Sequence, residues 1–181
     1  MSIVLIGMKG CGKTTVGALL AETLRVPFLD ADTEIERMHY RETGESLSFR
    51  QVFQQYGEAY FQALDTRTLQ NIARAYKQRD FVFACGGRTP LRRENQELLA
   101  RMGIILFLHV DRDVLLKRIL TQGIPAFFPY PGDPERSLDE LLTRRAPIYK
   151  ALANLTITIG EESADEVVHT ILSELRAYEQ H

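Results

Sequence analysis

The chain has 181 residues, 45% of them hydrophobic and 25% charged, with a formal net charge of −2. This is ordinary usage for one α/β domain with its own core, and the near-neutral balance gives no long-range pull on nucleic acid or anionic lipid. No apolar run approaches a bilayer span, the first residues lack a basic leader pattern, and Cys11 and Cys85 form no spaced framework, so a cytoplasmic protein without a membrane partner is expected.

Ile3-Val4-Leu5-Ile6 is a short continuous apolar run, the pattern of a strand buried on both faces. Val16, Leu19, Leu20, Thr23 and Leu24 then recur at helical spacing, and Val26 to Leu29 reads as a second strand. Helical patterns follow over Thr33–Tyr40, Leu47–Tyr56 and Glu58–Tyr76. Phe81 to Ala84 is a third strand closed by Gly86-Gly87, Leu91–Met102 a helix, and Ile104–Val110 a fourth strand. Val114–Leu120 is helical, whereas Gly123–Asp133, with three prolines and two glycines, is a loop. Leu138–Leu152 is a helix, Leu155–Ile159 a fifth strand, and Ala164–Tyr178 a closing helix. Strands alternating with helices predict a parallel sheet covered on both faces, with ligands beyond the carboxyl ends of its strands.

The residues that follow three of these strands carry the chemistry. Gly7-Met8-Lys9-Gly10-Cys11-Gly12-Lys13-Thr14 matches the phosphate-loop pattern, set between a strand and a helix. Its glycines, Gly10 and Gly12 among them, let successive N–H groups face an anion, with the helix N-terminus adding partial positive charge. Lys13 is expected to reach the β- and γ-phosphates of ATP, Thr14 to ligate Mg²⁺, and Thr15 to lie against the nucleotide. Cys11 is either a small residue filling a small space or a thiol activated by the surrounding amides. Asp30 and Asp32 end the second strand. One is suited to hold water on Mg²⁺ and the other to accept a hydrogen bond from a substrate hydroxyl, while Asp32 also reads as a helix N-cap.

Taken with Gly57-Glu58-Ala59-Tyr60-Phe61, Cys85-Gly86-Gly87 and Arg145-Ala146-Pro147-Ile148-Tyr149, these motifs resemble the shikimate kinase family over essentially the whole chain. The resemblance implies a three-layer P-loop kinase fold with a five-stranded parallel sheet in one domain over 1–181. It also implies a substrate-binding helical region near 31–60, a lid near 122–135, and ATP-dependent phosphorylation of the 3-hydroxyl of shikimate by a monomer. By position, Lys13 contacts phosphate, Thr14 and Asp30 serve the metal, and Arg118 stacks on adenine. Asp32 bonds the substrate hydroxyls and acts as base, Gly86 and Gly87 line the substrate, and Arg145 grips its carboxylate and faces the phosphates. Asp65 stands where the family usually has glutamate.

Three departures bear on the acceptor. Gln62 stands where the family has an arginine that pairs with the substrate carboxylate, Arg88 replaces a third glycine, and Ile124-Pro125 replaces a lid Arg-Pro. Losing one charged hydrogen bond costs roughly 1.5–3 kcal/mol, and arginines that neutralise a transferring phosphoryl group are worth roughly 10³–10⁵ in rate. Arg88 is therefore expected to project into the site and replace the charge missing at Gln62, with Arg136 and Arg144 as candidates for the lid charge. Phe127, Phe128 and Tyr130 either cover the substrate or pack the loop down. Two other readings stay open: a same-fold kinase for another polyhydroxylated acid or sugar, and a regulatory nucleotide-binding protein with little turnover.

Overall fold

A computed structural model describes residues 1–125 and 127–180; Ala126 of the expected lid lies outside them. The elements are β1 (Ile3–Ile6), α1 (Lys13–Leu24), β2 (Phe28–Asp30), α2 (Ala31–Thr43), α3 (Phe49–Ala75), β3 (Val82–Ala84), α4 (Arg93–Met102), β4 (Ile104–Val110), α5 (Arg112–Gln122), α6 (Pro134–Leu152), β5 (Leu155–Ile159) and α7 (Ala164–Glu179). The five strands are parallel, in the order β2-β3-β1-β4-β5. All four residues of β1 are buried, as a strand between two neighbours and two helical layers must be. The chain leaves β1 toward β2 and β3 on one side, and β4 and β5 continue on the other. The loop after β1 therefore opens at the point where the winding reverses, which is where such sheets leave a crevice.

The sequence patterns differ from the folded elements at several boundaries. The strand read over Val26–Leu29 begins at Phe28 and ends at Asp30, so Asp32 lies in the first turn of α2 rather than in extended chain. Asp30, not Asp32, is the N-cap, its carboxylate accepting from Asp32 N–H at 3.0 Å. The helix expected from Leu91 is a 3-10 turn at Thr89–Leu91 followed by α4, because Pro90 occupies the start of the turn.

The two helices expected on either side of residue 57 are one element, α3, bent at Gly57 with φ 80° and ψ 176°. Ser48 opens it with a capping box to Gln51. Residues Ile35, Val52 and Leu64 form a small cluster between α2 and α3, separate from the main core around the sheet. The bend at Gly57 turns the second half of α3, which carries Gln62 and Asp65, back toward the strand ends.

That backbone conformation is open almost only to glycine. Gly57→Ala is expected to cost about 1–3 kcal/mol, read as a fall in Tm of roughly 2–4 °C for each kcal/mol in a chain of this size. An unchanged Tm would show that α3 runs straight through this position in solution.

Candidate active site

Gly10 and Gly12 take left-handed φ values of 84° and 96°, and Gly12 leads directly into α1. Only glycine adopts these angles at little cost, and they curl the loop backbone around the helix N-terminus. Lys13 Nζ lies across this cradle, donating to the carbonyls of Gly7 and Met8 at 2.9 Å each. Thr14 Oγ1 donates to Asp30 Oδ2 at 2.8 Å. Thr15 is exposed on the first turn of α1. Cys11 is buried, its Sγ packed against Gly7 and 3.6 Å from Lys13 Nζ, so it fills the floor of the loop.

A hydroxyl beside a carboxylate is a hard-oxygen pair of the kind Mg²⁺ takes, with its remaining ligands drawn from water and phosphate. Among the described residues no group of three or more His, Cys, Asp or Glu gathers to hold a metal. That is compatible with an ion held mostly by a nucleotide rather than by a protein cage. Gly10 packs against Leu115 and Ile119 of α5, and the same helix contributes Arg118 to a cleft of about 430 Å³ lined also by Val114, Lys117, Thr121, Gln122 and Glu161. Arg118 thus stands on the helix that flanks the phosphate loop.

Asp32, on the first turn of α2, faces the loop. Burial, reinforced by the charge of Asp30, raises its carboxyl to about 6, while Lys13 and Lys9 pull the other way. On the far side of the loop, β3 delivers Gly86 and Gly87. A Cβ added to Gly87 would lie 3.6 Å from Gly7 O, 3.7 Å from Lys9 N and 4.0 Å from the Tyr149 hydroxyl, so the glycine sits tight against the loop. Tyr149 donates to the carbonyl of Gly87. Arg145, one turn earlier on α6, has only 9% of its surface exposed, and burial pushes its pKa below the usual value while Tyr149 holds it up.

Neither Arg145 nor Lys9 joins an ion pair among the described residues. A guanidinium taken out of water without a carboxylate is expensive.

Arg88 and Gln62 meet at one carboxylate. Gln62 Nε2 donates to Glu58 Oε1 at 2.9 Å, and Arg88 pairs with the same oxygen while its side chain stays 47% exposed. Arg88 is therefore beside Gln62, as the sequence suggested, but it is held by Glu58 rather than standing free. Asp65 is drawn to Thr89 in the turn after Gly87. It is buried, with one oxygen accepting from Thr89 Oγ1 at 3.0 Å and the other from Asn95 Nδ2 at 3.3 Å. It braces the turn that follows Gly87.

The lid aromatics divide. Phe128 enters the main core, and Tyr130 is clasped by Ser137 through its backbone and covered by Arg136 at 4.1 Å. Phe127 is half-buried, with the Arg145 guanidinium 5.2 Å and Lys9 Nζ 6.0 Å from its ring centre. Neither expected lid cation reaches the site, since Arg136 lies on Tyr130 and Arg144 pairs with Glu140 on the outer face of α6 at 3.2 Å. Sequence reading missed Lys9, which occupies an unconstrained position of the loop pattern. It missed the role of Tyr149 too, although the Arg145–Tyr149 spacing of four places both on one helix face.

Burial raises the Asp65 carboxyl to about 6, against the opposing pull of Thr89 and Arg92. Its folded value thus lies above its unfolded one. The stabilisation from the protonated form is complete below about pH 4 and is lost as pH climbs through about 6. Denaturant titrations should show wild type losing on the order of 1–3 kcal/mol more than Asp65→Asn between acid and neutral pH. Parallel pH slopes would rule this out.

A family model described as shikimate kinase matches residues 9–176. A shikimate kinase of Bradyrhizobium diazoefficiens is 34% identical over 177 residues, 98% of this chain and 80% of that protein. One from Caldanaerobacter subterraneus subsp. tengcongensis is 33% identical over 178 residues, 98% of this chain and 95% of the other. Among solved structures, a shikimate kinase from Acinetobacter baumannii in complex with shikimate is similar with a TM-score of 0.84 at 31% identity, covering 98% of this chain and 93% of that one. A shikimate kinase from Aquifex aeolicus gives 0.78 at 30% identity, covering 99% of each chain.

Proposed function

The chain belongs to the shikimate kinase family, and on that premise we propose how its residues divide the work of phosphorylating shikimate. It is a phosphotransferase acting on a hydroxyl group, with ATP as donor and shikimate as acceptor. The observation that carries the assignment of residues is the buried Arg145, without an ion-pair partner among the described residues and one helical turn before the Tyr149 that bonds Gly87. It calls for an anionic acceptor beside the donor phosphates.

In this reading the loop amides and Lys13 hold the β- and γ-phosphates, Lys13 exchanging its bonds to the loop carbonyls for phosphate oxygens. Thr14 and Asp30 would hold Mg²⁺, which supplies charge neutralisation on the phosphates when bound. Arg118 packs against the adenine. Asp32 accepts the proton of the attacking hydroxyl, taken as the 3-hydroxyl, as that oxygen bonds to the γ-phosphorus. Gly86 and Gly87 position the acceptor ring, and Arg145 binds its carboxylate. Residues 31–60 shape the acceptor side and residues 122–135 close over it. The reading includes a cytoplasmic monomer without nucleic-acid or membrane partners. It is supported by two buried, free cysteines and by the absence, among the described residues, of any helix long and apolar enough to cross a membrane.

Arg88 is assigned to the acceptor carboxylate along with Arg145, with Glu58 and Gln62 holding it at the rim. An exposed ion pair such as Arg88–Glu58 is weak, so the guanidinium is free to turn to a better anion.

A coupled ADP-release assay with shikimate, quinate and gluconate tests the acceptor. Turnover with shikimate alone is expected; turnover only with another acceptor, or ATP binding without turnover, overturns the reading. In the same assay Arg88→Met should raise KM for shikimate by on the order of tenfold to a hundredfold. An unchanged KM would assign Arg88 to Glu58 alone.

A further inference from the structure

Residues 122–135 contain no lysine or arginine, so the segment over the site brings no cation of its own. Phosphoryl transfer spreads negative charge over the oxygens of the moving group, and catalysis depends on cations aimed at them. Lys13 approaches from the donor side, and Arg145 is engaged with the acceptor carboxylate in the reading above. A further cation, Lys9, lies beside the same Phe127 ring as Arg145. Lys9 lies in the same loop as Lys13, and its backbone N is 3.7 Å from where a Cβ on Gly87 would be. Its side chain therefore rises from the seam between the donor loop and the acceptor turn.

Phe127 places that ammonium, with Lys9 Nζ 6.0 Å and Arg145 5.2 Å from the one ring. The contact joins the cation-free segment to both cations. Partial burial and the nearby Arg50 hold the Lys9 pKa below its usual value, with Asp32 pulling it up and Lys13 down again. Lys9 has no ion-pair partner among the described residues and, unlike the buried Arg145, stays exposed, a cation open to an incoming negative group.

We propose that Lys9 is a catalytic cation of this enzyme, neutralising the γ-phosphoryl group during transfer under the cover of Phe127. The inference rests on the phosphotransfer reading. As the acceptor oxygen bonds to the γ-phosphorus, the bond to the β–γ bridging oxygen breaks and its electron pair leaves with ADP. The hydroxyl proton passes to Asp32. Lys9 keeps its proton throughout and donates an N–H to a non-bridging oxygen, more strongly as charge develops there. This gives the loop a second lysine with a role distinct from that of Lys13, and it transfers to the loop a task that a cation on the covering segment would otherwise perform.

Lys9→Met and Lys9→Arg test it in two measurements on the full-length protein. In steady-state turnover with ATP and shikimate, Lys9→Met should lower kcat on the order of 10²–10³-fold while both KM values stay within about threefold. Lys9→Arg, which keeps the charge, should recover most of the loss. In calorimetry, Lys9→Met should bind MgADP as wild type does but lose affinity for MgADP with aluminium fluoride, a mimic of the moving phosphoryl group, by a similar factor. A near-wild-type kcat, a raised KM for shikimate with kcat unchanged, or an equal loss of MgADP affinity would each overturn the assignment. Wild type inactive toward shikimate would instead overturn the underlying acceptor reading. The fluoride comparison needs no acceptor and decides on Lys9 even then.

Discussion

Tyr149 is completely buried, its hydroxyl donating to the carbonyl of Gly87 and lying 4.0 Å from Met8 Sδ, while its ring packs 5.4 Å from that of Phe107. One side chain of α6 thus touches the phosphate loop, the turn after β3 and the adjoining strand β4. A buried phenol hydroxyl needs a partner, and here the partner is the backbone of the acceptor turn. Satisfying it fixes α6 against the strand ends, and with α6 it fixes Arg145, one turn earlier on the same face. The spacing between the donor loop and the acceptor charge follows from this contact.

Around that contact the site is built from charges that the fold leaves partly uncompensated. Asp30 is satisfied by Thr14 and by the first turn of α2, but the half-buried Asp32, the buried Arg145 and the exposed Lys9 have no ion-pair partner among the described residues. Burial of the first two costs folding free energy. The arrangement makes physical sense as preorganisation: charged groups held in place beforehand interact strongly with charge that develops beside them. Phe127 adds an aromatic ring whose centre lies 5.2 Å from the Arg145 guanidinium and 6.0 Å from the Lys9 ammonium, an attraction that leaves both charges in place.

The acceptor side shows how the fold absorbs substitutions at a rim. Glu58 gathers Gln62 and Arg88 onto one oxygen, and Asp65 is drawn inward to Thr89 and Asn95. Both arrangements support the turn that carries Gly86 and Gly87. A buried carboxylate held by neutral donors is a sturdy brace at low pH and a strained one once it ionises, so the turn's stability is tied to protonation of Asp65.

Much of this was legible in the chain itself. The glycines and the Lys13-Thr14 pair fix a phosphate-binding turn because the pattern dictates local backbone geometry, and the alternation of apolar runs with helical periods dictates a parallel sheet. The capping role of Asp30, the bend at Gly57 and the short turn at Pro90 are local too, but they hinge on a residue or two at element boundaries, where periodicity gives little signal. What only the tertiary structure decided is which side chains share space: Lys9 with Phe127 and Arg145, Arg88 with Gln62 on Glu58, Asp65 with Asn95, Tyr149 with Gly87. Each of these meetings joins segments far apart in the chain. Sequence spacing sets where a residue lies along its own element, whereas its neighbours are set by how the elements pack. The phosphate loop is written in one contiguous stretch; the surroundings of Gly87 exist only once separate stretches have been brought together.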